Sequence, residues 1–451
     1  MTTKILADFT AHLKYSDLSP ATVRKTKQCI LDWLGVGIRG SREKPAQILR
    51  KVILTAKEDE ASVLSGEGLT ANALNAAFCN GANSHTLDFD DLHNPSIIHI
   101  ATVVIPPAFA VAEKEHKSGK DVLTAVVAGY EVCARVGEAV IPESYYFWHT
   151  TGTVGAIGAG TAAAKVLGLN AAQTLHCLGS AGTQAAGLWE FVKEGAMSKP
   201  LHTGKSSYAG VLSAYLAREG FTGATKILEG EKGFCRAMVK VPHLEKLTEG
   251  LGLGFKIDDN SFKPYPCCKH SHASIYALQV LQKENKFMTG DVAKVEVLVN
   301  SITDSLINNP DPQTAYGCKF SIQYCDASVL KYGNVGIEQF SAQAMADPET
   351  RALMQKISVH QDPEIQQVYD TDPSKLATKV IVTLKDGRKL EKEVDYPKGD
   401  PDCPMTWEDS VAKFTALAEP VYGKEKTAKL CALIDKLDEV EDFKTALRAC
   451  L

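Results

Sequence analysis

Thr153-Val154-Gly155-Ala156-Ile157-Gly158-Ala159-Gly160-Thr161-Ala162-Ala163-Ala164-Lys165-Val166-Leu167 is the stretch that separates two fold classes. Its three glycines imitate a dinucleotide-binding loop. Such a loop needs a β-strand before it and a helix N-terminus after it. Here Phe147-Trp148-His149-Thr150 comes first, and no strand precedes it. What remains is a run of small side chains, which suits a helix packed deeply among other helices. Gly204-Lys205-Ser206 fails in the same way as a phosphate loop, because Lys199 stands where the first glycine is required.

Outward from this stretch the first half reads as helical. Ser19-Pro20 is a cap followed by a first-turn proline, and Val23, Ile30, Leu31 and Leu34 recur at helical spacing. Gly35, Gly37 and Gly40 are expected to stop that helix. Further helices are expected over 71–82, 121–136 and 209–219. The pattern changes near residue 258, where a polar break leads into a Pro- and Cys-rich segment. A strand follows at 292–300. Two β-rich runs, 378–384 and 389–394, flank Asp386-Gly387 and predict a hairpin. Residues 407–451 return to amphipathic helix. The expected fold class is therefore mainly α. A large all-helical domain of residues 1–259 is completed by 398–451, with a smaller α+β domain at 260–397.

Composition narrows the function. Over 451 residues, 49 Lys+Arg against 54 Asp+Glu gives a net charge of −5, which argues against nucleic-acid and anionic-membrane partners. The apolar stretches are too short to span a bilayer, and Pro106-Pro107 is expected to interrupt one of them. The N-terminus lacks the apolar core of a secretory signal. Twelve scattered cysteines without a CxxC read as reduced thiols, mostly buried, in a cytoplasmic protein.

Four constellations carry chemistry. His85-Thr86-Leu87-Asp88-Phe89-Asp90-Asp91-Leu92-His93, with His99 beyond, gathers three histidines and three carboxylates within fifteen residues. Such clusters serve acid/base work, metal ligation, or buried hydrogen bonding and capping. Asp90-Asp91 alone would suit magnesium, but Asn94 stands where a further acid is needed one turn on. Phe147-Trp148-His149-Thr150-Thr151-Gly152 sets a histidine among aromatics, or forms a capping turn in which Thr151 serves the helix. Met197-Ser198-Lys199-Pro200-Leu201-His202-Thr203-Gly204-Lys205 is a cationic patch or a surface loop. A lysine before proline is expected to be extended there. Phe262-Lys263-Pro264-Tyr265-Pro266-Cys267-Cys268-Lys269-His270-Ser271-His272 reads as thiols packed beneath a cationic loop.

Taken together, these segments resemble the MmgE/PrpD family, which includes 2-methylcitrate dehydratase, cis-aconitate decarboxylase and iminodisuccinate epimerase. Asp88 to His93 with His99 to Pro106, Trp148 to Gly152, Met197 to Gly204, Lys263 to His272, and Gly220 to Gly230 match family elements in order. Leu92 replaces the usual threonine, and Ile100-Ala101 replaces Pro-Ser.

The resemblance implies a homodimer. The active site would lie between the helical domain and a lid domain, and the chemistry would need no cofactor and no metal. Its substrates would be small di- or tricarboxylates. By resemblance, His99 and His149 are acid/base candidates, Lys199 and Lys263 carboxylate binders or acids, Asp88 an orienting group and Tyr324 a donor. His93, His202, Lys205 and His272 are candidates for substrate binding. The expected activity is a lyase, with a 2-methylcitrate-type dehydratase placed first. A cis-aconitate-type decarboxylase, an iminodisuccinate-type epimerase and a non-catalytic carboxylate-binding member are the alternatives.

Overall fold

The computed structural model describes residues 1–372 and 375–451. The chain forms two compact units: Met1–Phe262 with Thr406–Leu451, and Lys263–Met405. The expected domain edges at 259/260 and 397/398 thus lie three and eight residues before the observed ones.

The first unit is built from helices, with one short pairing of Ala61–Ser62 and Thr70–Ala71. Ser19 caps the Pro20–Gly40 helix by accepting from the Thr22 amide at 3.0 Å. The glycines expected to stop this helix lie inside it. They serve contact instead. A Cβ on Gly35 would sit 3.3 Å from the Phe414 Cα, and one on Gly40 only 2.1 Å from the Asn83 carbonyl oxygen. Close approach of neighbouring backbones outweighs the helix propensity that glycine forfeits. Trp33, Phe109 and Phe443 stack edge to face at 4.9 and 4.7 Å through the core.

Helices Ala73–His85, Ala101–Lys114, Gly119–Glu138, Gly155–Leu167 and Ser198–Arg218 surround the functional segments. The small-residue stretch is the Gly155–Leu167 helix, preceded by a short Thr150–Thr153 turn of helix. Pro106 and Pro107 do not interrupt their segment; both lie within the Ala101–Lys114 helix. Pro106 has no amide hydrogen for the Thr102 carbonyl, and the Ser207 hydroxyl lies 3.5 Å from that oxygen. Among the described residues, no helix is long and apolar enough to cross a membrane.

The second unit holds a four-stranded sheet. Its order is Ile357–Gln361, Val292–Val299, Thr378–Leu384, Lys389–Val394. The first pair is parallel and the other two antiparallel. The predicted hairpin forms with Thr378 opposite Val394, and Gly387 supplies the positive φ its turn requires. Alternate residues of Thr378–Leu384 are buried, facing a core that includes the His272–Asn285 and Ile322–Tyr332 helices. All twelve cysteines are free thiols, nine of them buried.

Candidate active site

Helix ends assemble the site in the first unit. Asn72 caps the Ala73–His85 helix, accepting from Asn75 at 2.9 Å. His85 is its last residue. The chain then turns through Asp88 at φ 57°, a left-handed conformation that costs energy for any residue with a side chain. The return path is pinned repeatedly. His93 pairs with Ile98 across a bridge, and its Nδ1 lies 2.9 Å from Ser96 Oγ. Thr150 donates to the Ile97 carbonyl at 2.7 Å, and the His99 amide donates to Thr151 Oγ1 at 3.2 Å. Thr151 therefore holds His99; it is not the helix cap expected from sequence, since the capping position belongs to His149 and makes no side-chain cap bond. Asp91 Oδ1 then accepts from the Ala101 amide at 3.1 Å, at the start of the next helix.

Asp90 is the centre of the result. His85 Nδ1 lies 2.7 Å from its Oδ2, and His99 Nδ1 lies 3.1 Å from the same oxygen. His85 stacks on His149 at 5.3 Å with their planes 10° apart, and meets His99 edge to face at 4.8 Å. His149 Nδ1 is 3.1 Å from His202 Nδ1. Trp189 closes against His149 at 4.7 Å, and Phe191 stacks on Trp189 at 5.5 Å. Beside this cluster, Lys199 Nζ pairs with Asp88 Oδ1 at 2.6 Å.

Lys199 occupies the first turn of the Ser198–Arg218 helix. The extended loop expected there does not form, because a proline in the first helical turn forfeits an amide that has no partner anyway. Lys205, one turn and a half further on, donates to the Gln184 carbonyl, and burial lowers its ammonium pKa.

Burial governs the charges. It holds His85 and His202 down to about 4 and His149 well below the ordinary imidazole value, with neighbouring cations adding to the last two. Burial also opposes ionisation of Asp90, but His85 and His99 outweigh it and keep that carboxyl well below the usual range. At neutral pH Asp90 is thus a carboxylate beside the neutral imidazoles of His85, His149 and His202, with the Lys199–Asp88 pair at the edge. Asp90 holds the Nδ1–H tautomer of His85, its hydrogen-bonded partner. The Nδ1–Nδ1 contact between His149 and His202 holds one hydrogen, so one of those rings carries its proton on Nε2 as a neutral donor.

His85, Asp90 and His99 also place three ligand atoms within 4.8 Å of one another, as a metal site would. A metal-bound imidazole normally donates its other N–H to an acceptor. His85 directs Nδ1 at Asp90, while His85 Nε2, His99 Nδ1 and Asp90 Oδ1 are buried without a hydrogen-bond partner among the described residues.

The neutral histidines make the fold acid-sensitive. His85, His202 and, at about 3, His93 bind protons in the unfolded chain near 6.5 but far lower in the folded one. Their contribution is complete above 6.5 and is lost as pH falls toward 4. For fully buried His85 alone this is on the order of 3 kcal/mol. Asp91, raised to about 7 by burial, works in the opposite sense over the same range, as do the raised carboxyls of Asp32, Glu113, Asp258 and Asp326. His149 and His270 add to the three histidines, each of which loses its share from 6.5 downward. The thermal midpoint is therefore expected to fall steadily between pH 7 and pH 5 in a calorimetric series. A flat profile would contradict the neutral assignment.

Sequence reasoning named His99, His149, His202, Lys199 and Asp88, and the structure brings them together. It also named His93, which is buried beside Ser96, with its Nε2 4.0 Å from Glu138. It passed over His85 and Asp90 as individuals and missed Trp189 and Phe191. Periodicity gives no warning that a residue ending one helix will stack on a ring sixty-four positions away.

The remaining candidates belong to the second unit. Lys263 is its first residue, with a side chain that is largely buried. His272 opens the His272–Asn285 helix, its Nε2 3.3 Å from the Cys267 carbonyl and its ring against Tyr265 at 5.1 Å. Tyr324 is buried in the Ile322–Tyr332 helix and donates its hydroxyl to the Gln339 carbonyl. That proton is committed to a backbone oxygen in this arrangement.

The MmgE/PrpD N-terminal domain matches residues 4–246, and the MmgE/PrpD C-terminal domain matches 265–439. A cis-aconitate decarboxylase-like protein, oryM, of Aspergillus oryzae is 27% identical over 94% of this chain and 92% of its own length. The cis-aconitate decarboxylase of Mus musculus is 28% identical over 97% and 90%. A mitochondrial 2-methylcitrate dehydratase of Yarrowia lipolytica is 24% identical over 88% and 80%. Both halves of the family pattern lie in order along the chain, and its relatives are decarboxylases and dehydratases: this protein is a lyase of the MmgE/PrpD family.

Proposed function

We propose that this protein is a carboxy-lyase acting on a cis-aconitate-type tricarboxylate. The observation that carries the reading is the set of neutral imidazoles packed against Trp189 and Phe191. In decarboxylation a carbon–carbon bond breaks, and the carboxylate leaves as uncharged carbon dioxide. Its electron pair shifts through the neighbouring double bond, and a proton forms the new C–H bond. A carbanion next to a carboxylate is basic enough to take that proton from a neutral imidazole Nε2–H. Solvent then restores the imidazole.

Lys199 holds a retained carboxylate, and Asp88 aims the ammonium. Asp90 orients His99, which with His149 flanks the reacting carbon. Lys263, His272 and Lys205 are proposed to add further contacts to substrate carboxylates. Relatives named as cis-aconitate decarboxylases reach 25–28% identity, against 23–24% for those named as 2-methylcitrate dehydratases, which supports this order.

Dehydration, placed first by sequence alone, is the second reading. What favours it is Lys199, an ammonium at the edge of the cluster that can protonate a departing hydroxyl. Incubation with cis-aconitate and with 2-methylcitrate separates the two. Carbon dioxide from the first is expected; water loss from the second without carbon dioxide from the first would reverse the order. In excess chelator the rate is expected to be unchanged, and a rate restored only by added metal would assign the His85–Asp90–His99 trio to metal binding.

A further inference from the structure

Lys413 lies on the Trp407–Asp435 helix, more than three hundred residues from the functional segment, yet its ammonium ends directly behind it. It pairs with Asp32 Oδ1 at 2.6 Å and donates to the Phe89 carbonyl at 2.8 Å. The same nitrogen sits 4.0 Å above the Phe89 ring. Lys413 and Asp32 are both buried, with Asp32 only 3% exposed.

A buried ammonium has three donors to place, and Lys413 gives one to Asp32 and another to the Phe89 carbonyl. This one reaches the peptide between Asp88 and Asp90. That peptide follows the left-handed Asp88, a conformation that persists only where its surroundings over-determine it. Asp88 on one side of the held carbonyl pairs with Lys199. Asp90 on the other side faces both His85 and His99. One fixed oxygen therefore sets the direction of two working carboxylates. Water cannot replace the ammonium readily, since the carbonyl, the ring and Asp32 enclose it.

We propose that Lys413 is a positioning residue for the acid/base apparatus, holding the Phe89 carbonyl so that Asp88 meets Lys199 and Asp90 meets its histidines. This rests on the reading of that cluster as the active site. The C-terminal helix then does more than complete the first unit: it braces the turn that carries the chemistry.

The two partners of the ion pair are expected to behave differently, which a purely structural role does not predict. Asp32→Asn lowers stability by removing the counter-charge of Lys413, but it keeps an acceptor and leaves the Phe89 contact in place, so kcat of the folded protein is expected to stay close to the parent's. Asp32→Leu/Lys413→Met removes the pair together and leaves no unpaired buried charge, which favours a folded product. In that variant kcat is expected to fall roughly ten- to hundredfold, the range that a small misplacement of reacting groups produces. The imidazole N–H resonance of His85, hydrogen-bonded to Asp90, observed by proton NMR without substrate, is expected to move in the double variant and not in Asp32→Asn. Should the double variant fail to fold, Asp32→Asn/Lys413→Met, which likewise removes the ammonium and leaves no buried charge, carries the same two readouts.

A folded Lys413 variant with parental kcat and an unmoved resonance would overturn the inference. If His99→Gln and Asp90→Asn also kept full activity, the failure would belong to the site assignment; if they lost it, to the positioning role alone.

Discussion

His99→Gln is expected to leave the fold intact and to lower kcat by roughly 10²–10⁴-fold, the usual worth of a positioned acid/base group. The imidazole is only partly buried and makes its main-chain contact through the amide to Thr151, which glutamine preserves. Asp90→Asn should cost a similar factor by another route. An amide can donate where the carboxylate only accepts, so it no longer fixes the Nδ1–H tautomer of His85, and the charge beside His99 is lost. The check is steady-state kinetics on cis-aconitate beside a thermal melt of each variant. Full activity in folded His99→Gln would remove that residue from the mechanism.

Lys199→Met is expected to lower kcat/KM by roughly 10²–10³-fold, comparable to removing one preorganised electrostatic donor. It keeps the aliphatic stem and deletes the charge. KM should rise because a retained substrate carboxylate loses its partner. Asp88 would be left without that cation, so Asp88→Asn/Lys199→Met tests whether the loss comes from the missing ammonium or from a stray carboxylate. If the double variant recovered parental kcat/KM, Lys199 would not bind substrate.

The sequence was most informative where local rules act alone. The Asp386-Gly387 hairpin forms as its turn residues require, and Ser19-Pro20 opens a helix. Gly35 and Gly40 were misleading, because their glycine character answers to Phe414 and to the Asn83 carbonyl, contacts that no local window contains. Lys199-Pro200 was misleading in the opposite sense. The rule that the residue before proline is extended yields in the first turn of a helix.

At the site, motif resemblance named the side chains that face one another, but not the groups that hold them. His85 and Asp90 sit in the quoted segment, yet their roles depend on one helix ending at His85 and another starting at Ala101. Trp189, Phe191 and Lys413 carry no motif. Each becomes visible only through a distance: to His149, to Trp189, and to the Phe89 carbonyl.

The proposed decarboxylation has a neutral imidazole return a proton to carbon after carbon dioxide leaves. Proton NMR of the reaction with cis-aconitate in heavy water, read with carbon dioxide release, tests it most directly. Carbon dioxide and product are expected in equal amounts, with one deuterium per product at the newly protonated carbon. Deuterium exchange into unreacted substrate without carbon dioxide, or water loss or gain in its place, would contradict it.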